Sequence, residues 1–287
     1  MTANLHGDEC TGFATAIHLL ESLKSTLLRG KVVIYPSLNP LGLIQHRREH
    51  PRDGKDMNRL FPGRMMGGIA ERHVYHVWNS ILKHTPDVIL DLHTDSGDAI
   101  PYVLIDRVLR GRKKGLEHEM LAMARSSNLT CIHEYTTTLY RHYKLEKSLS
   151  GTGLNTLGCP TLTLEVGPRR RIDKAAVDIM TSAVRGILHY LGLIAQKPIT
   201  INTPLEGNWY RSNGPYIQQS GIFVPSCHAG TILEANTELG VLYSTQGEIL
   251  QRITTSQRSL VLSLANQCFI REKGSCAALA LPEERVV

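Results

Sequence analysis

The chain has 287 residues, 42% of them apolar and 20% charged, which supports one large buried core or two and excludes a disordered or fibrous chain. No run of eighteen or more apolar residues is present, which excludes an apolar membrane-spanning helix, and no basic stretch followed by an apolar one marks a leader. The formal charge is +6, but outside Arg47–Arg52, Arg107–Lys114 and Arg169–Arg171 the basic residues are dispersed and few aromatics interleave with them, a pattern for steering small anionic substrates and not for nucleic acid.

Thr2–Leu5 reads as a short strand that runs into a polar turn, His6–Glu9. From Gly12 to Leu28, apolar residues at helical spacing (Phe13, Ala16, Leu19, Leu20, Leu23, Leu27) predict a helix that stops at Gly30. Lys31–Pro36, KVVIYP, is expected to be a second strand, and strand–helix–strand alternation implies a parallel α/β sheet. Ser37–Gly68 is rich in Gly and Pro without a periodic apolar pattern, the kind of long loop that carries function.

Ile69–His84 resumes helical spacing, with His73, His76 and His84 placed on its surface or end. Asp87–Leu92, DVILDL, is a buried-strand run ending in His93. Ile100–Ile105 reads as a strand, Lys114–Ser126 as a helix, and Cys131–Ser150 as a polar, Tyr-rich loop with short strands. Thr161–Val166, TLTLEV, carries Glu165 near its carboxyl end, and Asp173 caps a long amphipathic helix to Leu193. From Pro198 the pattern becomes short β runs: GIFVP, GTILEA, GVLYS, GEILQRI, SLVLSL and ALALP. The domain boundary is expected near 196–204, dividing a domain of residues 1–196 from a small all-β domain of residues 197–287. Six scattered cysteines without a CxxC pair suit reduced thiols in the cytoplasm.

His6 and Glu9 lie three residues apart, so an imidazole and a carboxylate on one tight turn can reach a single metal ion. His93 ends one strand and Glu165 another, and the carboxyl ends of parallel strands share an edge. Two histidines and one carboxylate make a zinc site with one position open to water, and a second carboxylate nearby can move that water's proton. In the long loop, Arg48 and the run Asp56-Met57-Asn58-Arg59 supply cationic and amide donors, suited to an oxyanion or a substrate carboxylate.

HGDE (6–9), NPLG followed by Arg48, DMNRLFPG (56–63), DLHT (91–94) and TLEVG (163–167) together resemble the succinylglutamate desuccinylase/aspartoacylase family, a deacylase branch of the zinc-carboxypeptidase superfamily, over roughly residues 2–195. The resemblance implies a mixed, mostly parallel sheet with helices on both faces, plus a small C-terminal all-β domain. It implies one zinc ion per chain on His6, Glu9 and His93, Glu165 as general acid/base, Arg48 as the residue that polarises the scissile carbonyl, and Asn58 and Arg59 as the pair binding the substrate carboxylate. Asp56 would orient that loop. Apart from the resemblance, Arg169–Arg171 reads as a solvated loop, with contact to an anionic acyl group as the lesser alternative, and a pocket-lining role for Tyr140 and Tyr143 is a lesser alternative of the same kind.

The function so implied is a zinc-dependent deacylase acting on an N-acyl amino acid or related amine, with ester hydrolysis also open. A water activated by Glu165 would attack the acyl carbonyl. The alternatives are a metallocarboxypeptidase for short peptides and an inactive zinc-binding homologue. The chain departs from the family in two places. Relatives carry some tens of residues before the HGxE turn, forming edge strands that this chain is expected to lack, with self-association as one consequence. Asp95-Ser96 also follows DLHT where a Gly-Gly-like segment is common, adding charge to the pocket floor.

Overall fold

The computed structural model describes residues 1–109 and 115–282. Its elements in the first part are β1 (Thr2–Ala3), α1 (Thr11–Thr26), α2 (Pro40–Gln45), α3 (Ile69–Leu82), β2 (Ile89–His93), β3 (Tyr102–Ile105), α4 (Leu116–Ser126), β4 (Thr130–His133), α5 (Thr137–His142), α6 (Leu149–Thr152), β5 (Thr161–Glu165) and α7 (Lys174–Tyr190). The remainder is all β: β6 (Trp209–Asn213), β7 (Gly221–Pro225), β8 (Ile232–Leu233), β9 (Glu238–Tyr243), β10 (Ile249–Thr254), β11 (Ser259–Leu264), β12 (Phe269–Ile270) and β13 (Ala277–Leu281).

One nine-stranded sheet has the order β1-β2-β5-β3-β4-β6-β13-β11-β8, and a four-stranded antiparallel sheet has the order β10-β9-β7-β12. In the large sheet β1, β2 and β5 are parallel, β3 runs antiparallel to β5, and β4 and β6 run parallel to β3. The sheet passes without a break from the first part of the chain into the second through the β4–β6 pair.

Alternation along the strands divides the core. Leu90, Leu92, Val103, Ile105, Leu162 and Leu164 face one way, against α1, α4 and α7. Tyr102, Leu104, Ile132 and Trp209 face the other way, into a cluster with Leu260 and Leu262 from β11. On that side Ile89 packs with Val74, Trp78 and Ile81 of α3 and with Leu149 of α6, so helices cover both faces. Asp173 caps α7 by accepting from the Ala176 amide at 3.0 Å.

Four local expectations are corrected. Lys31–Pro36 is not a strand: a ladder needs a partner, and the two-residue β1 offers it one bridge, Thr2 to Tyr35. Cys131–Ser150 begins with a short strand as expected, the end of β4, but then holds the helix α5 and the start of α6 where loop was expected. Ser148 starts α6 by accepting from the Gly151 amide at 2.8 Å. Within the loop after residue 36, Asn39 caps α2 by accepting from the Gly42 amide at 3.0 Å, with Pro40 in the first helical position. β6 and β12 were not expected; the polar WYRSN run of β6 lacks the apolar alternation of its neighbours. Lys114, the expected first residue of α4, and Arg110–Lys114 of the basic cluster lie outside the described residues. No described helix is long and apolar enough to cross a membrane.

Candidate metal centre and its surroundings

The turn after β1 is built by Asn4. Its backbone takes a positive φ of 53°, which Asn tolerates better than most residues. Its side-chain amide then donates to the carbonyls of His6, Gly7 and Glu9 at 3.0, 3.2 and 3.0 Å. Ser37 fixes the amide by donating to Asn4 Oδ1 at 2.6 Å. Gly7 lies against backbone: a Cβ there would stand 2.1 Å from the Gly42 carbonyl carbon and 2.5 Å from the Arg47 oxygen. That close approach seats the turn on the Gly42–Arg48 segment, and the Gly7 amide donates to the Arg48 carbonyl at 3.3 Å.

The turn sets His6 and Glu9 facing His93 at the end of β2. One ligand atom from each of the three buried residues lies within 4.8 Å of the others. His6 Nδ1 stands 2.9 Å from Glu9 Oε1, and His93 Nδ1 stands 2.8 Å from Glu9 Oε2. The far nitrogens meet carboxylates as well: His6 Nε2 is 3.2 Å from Asp56 Oδ1, and His93 Nε2 is 2.8 Å from Asp91 Oδ2. Burial opposes charge on Glu9, but His6 and His93 outweigh it and hold the carboxyl well below the usual range. Burial likewise opposes charge on His93, while Asp91 and Glu9 raise its pKa well above the ordinary value.

This donor set fits a divalent metal. Two imidazoles converge on one carboxylate through the same ring nitrogen, and each second nitrogen is anchored to a carboxylate, the arrangement that orients metal-binding histidines.

Glu165 is the register partner of His93 on the neighbouring strand. Its carboxylate makes no hydrogen bond among the described residues. Burial, with the Glu9 and Asp95 carboxylates and against His93, pushes its pKa up to about 8. Arg48 Nη1 donates to Glu9 Oε1 at 3.0 Å, and Nη2 stands 3.7 Å from Asp56 Oδ2. Asp56 also accepts from the Asn58 amide at 2.8 Å, closing the short turn Met57–Arg59. Asn58 Oδ1 accepts from the Leu149 amide at 2.8 Å, so α6 braces that turn. Arg59 Nη1 donates to the Asn58 carbonyl at 2.7 Å. Burial, with the repulsion of Arg48 and Arg211 and despite Asp56, lowers the Arg59 pKa.

Of the Arg169–Arg171 run only Arg169 turns to the centre, with Nη2 3.8 Å from Glu9 Oε1; Arg170 and Arg171 are exposed. Tyr140 is fully buried, and Tyr143 accepts from Asn213 Nδ2 at 2.7 Å.

Several residues at this centre escaped the motifs. Asp91 precedes His93 by two residues, so the period of a strand puts both on one face, a signal that DLH contains. Tyr102 pairs with Glu165 in register and donates to Asp95 Oδ2 at 2.8 Å. Arg211 and Glu134 form an ion pair at 2.7 Å across β4 and β6. No spacing in the chain announces that pair.

A mixed α/β sheet that gathers a buried two-histidine, one-carboxylate set at the carboxyl end of β2, with the Glu165 carboxyl beside it, defines a hydrolase-like scaffold. The comparisons with known proteins say which one. Residues 1–191 match the succinylglutamate desuccinylase/aspartoacylase catalytic domain, and the chain belongs to that deacylase family. It is 28% identical over 273 residues, 90% of this chain and 71% of the relative, to the N-alpha-acetyl-L-2,4-diaminobutyric acid deacetylase of Halomonas elongata. Among solved structures it resembles an aspartoacylase family protein from Mesorhizobium loti with a TM-score of 0.81 and 22% identity, covering 99% of this chain and 85% of that one. It resembles the product-bound ectoine utilization protein EutE (DoeB) from Ruegeria pomeroyi with a TM-score of 0.83 and 18% identity, covering 98% and 84%. These likenesses extend the expected fold over the C-terminal β part as well.

Proposed function

We propose that the protein is a zinc-dependent deacylase that hydrolyses the amide bond of an N-acyl amino acid or a related N-acylated amine. The observation that carries the reading is the His6, Glu9 and His93 donor set with the unbonded carboxyl of Glu165 beside it, in a chain of the deacylase family. Its relative from Halomonas elongata is named for removing an acetyl group from such an amino acid. In this reading residues 1–196 carry the chemistry in the cytoplasm, and residues 197–287 form the small β domain.

His6, Glu9 and His93 would hold one zinc ion, which supplies Lewis acidity to polarise the acyl carbonyl and to acidify water near neutral pH. Glu165 takes the proton of the attacking water and delivers it to the departing amine nitrogen, a double duty suited to a carboxyl whose pKa lies near neutrality. Arg48 donates to the oxygen that gains charge as the carbonyl becomes tetrahedral. Glu9 and Asp56 keep its guanidinium at the site. Asn58 and Arg59 receive the substrate carboxylate.

The test is a screen of N-acyl amino acids, beginning with Nα-acetyl-2,4-diaminobutyrate, against zinc-loaded and chelator-stripped protein, with a tripeptide alongside. Acid release from N-acyl amino acids by the zinc-loaded form alone is the expected result. Cleavage of the tripeptide with every N-acyl amino acid left intact would overturn it in favour of a carboxypeptidase.

A further inference from the structure

Arg211 is a half-buried cation that the mechanism does not use. Arg211 stands on β6 two residues after Trp209, which clusters with Tyr102, and Tyr102 is the register partner of Glu165. Strand alternation therefore puts Arg211, Tyr102 and Glu165 on one face of the sheet. Arg211 Nη1 donates to Glu134 Oε1 at 2.7 Å, and its guanidinium carbon sits 5.1 Å from the centre of the Tyr135 ring. The side chain is 24% exposed. It faces a cavity of about 390 Å³ that Thr136, Leu139, Tyr210, Asn213 and Tyr216 also line.

A guanidinium presents five N–H donors in a planar fork. Glu134 occupies the Nη1 end of Arg211. Nε and Nη2 share the opposite edge, the spacing that gives a carboxylate two parallel hydrogen bonds. Nε is buried with no partner, and Nη2 makes no hydrogen bond among the described residues. A buried donor without a partner is unfavourable unless something fills it. The ion pair to Glu134 and the stacking on Tyr135 fix the fork in place, so that edge is preorganised.

We propose that Arg211 is a specificity-determining residue: a second guanidinium, with Arg59, for the substrate carboxylate, engaged through its Nε/Nη2 edge at the cavity between α5 and β6. Naming that carboxylate as the substrate's rests on the deacylase reading; the carboxylate preference of Arg211 does not. The proposal gives the C-terminal β part a direct role, because β6 delivers the residue that selects an acid over a neutral analogue.

The experiment measures binding by titration calorimetry on zinc-loaded protein carrying Glu165→Gln, which prevents turnover. The probes are Nα-acetyl-2,4-diaminobutyrate and its carboxamide, which differ only in the charged group. The parent is expected to prefer the carboxylate. Arg211→Lys keeps a cation for Glu134 but lacks the side-on fork, and it should cut the carboxylate-to-carboxamide affinity ratio at least tenfold. Should that variant melt early, Arg211→Gln combined with Glu134→Gln removes both buried charges and should show the same loss of preference. A ratio unchanged in the variant, or a parent that binds the two probes equally or binds neither, overturns the proposal. If the protein with Glu165 intact hydrolyses neither probe, the deacylase reading fails, and the affinity ratio still decides the role of Arg211.

Discussion

His93 and Glu165 are register partners on the adjacent parallel strands β2 and β5. The strand that ends in a metal-type ligand therefore lies against the strand that ends in a free carboxylic acid, and their side chains leave the same face of the sheet. This relationship depends on backbone pairing over five residue pairs, Ile89 with Thr161 through His93 with Glu165.

Glu165→Gln retains the shape of the side chain and removes its proton chemistry. Because Glu165 is not one of the converging donors, the variant should keep its full zinc content. Its turnover of an N-acyl amino acid should fall by about 10³-fold. Elemental analysis alongside initial rates checks this. Loss of zinc together with activity would mean that Glu165 serves the metal instead of the proton.

Asp91→Asn tests the anchoring of His93. Asp91 holds His93 Nε2 at 2.8 Å and itself accepts from Thr2 Oγ1 at 2.8 Å. The amide keeps the size but weakens the orienting charge. Zinc affinity, measured by competition with a chromogenic chelator, should drop by roughly tenfold to a hundredfold. An unaltered affinity would show that the ring is positioned by packing against the sheet alone.

Gly7→Ala probes why the HGDE turn needs its glycine. The added methyl would overlap the backbone of Gly42 and Arg47, with contacts of 2.1 and 2.5 Å. Backbone on both sides cannot rotate away as a side chain can. The variant should lose about 2 kcal/mol or more of stability in urea. Its activity should fall further than its stability explains, because the segment that must yield carries Arg48.

These constructions explain what the chain discloses before folding. That the two strand ends share one edge was legible because DVILDL and TLTLEV are β-rich, apolar runs that lead into His93 and Glu165; that the strands are neighbours with these two residues in register was not. The convergence of HGDE with them follows from helix-crossover logic. Asn4 was not legible: its positive φ and three carbonyl contacts belong to the folded turn, and the letter N carries no trace of them. Lys31–Pro36 misled because its composition suits a strand, whereas a ladder also depends on the length of the neighbour. Arg211 was hidden by distance along the chain: pairing of β6 with β4 brings it beside Glu134, and that pairing involves only Ile132 with Trp209 and His133 with Tyr210.

The last prediction concerns pH and stability away from the donor set. Asp106 follows β3 and is buried, with the Arg107 amide donating to its Oδ1 at 2.9 Å. Burial, reinforced by the charge of Glu134, pushes its pKa up to about 6. An unfolded aspartate titrates near ~3.9. Between these values the folded chain holds a proton at Asp106 that the unfolded chain has released, so the contribution of Asp106 to stability is greatest below pH ~4 and declines as pH rises to about 6. The span corresponds to on the order of 3 kcal/mol. Asp106→Asn keeps an oxygen for the Arg107 amide and cannot ionise. The stability of that variant relative to the parent should therefore rise steadily from pH ~4 to ~6 and then level off. Urea unfolding of both proteins at closely spaced pH values checks this, and a difference that stays constant across the window would show that Asp106 titrates normally in the folded chain.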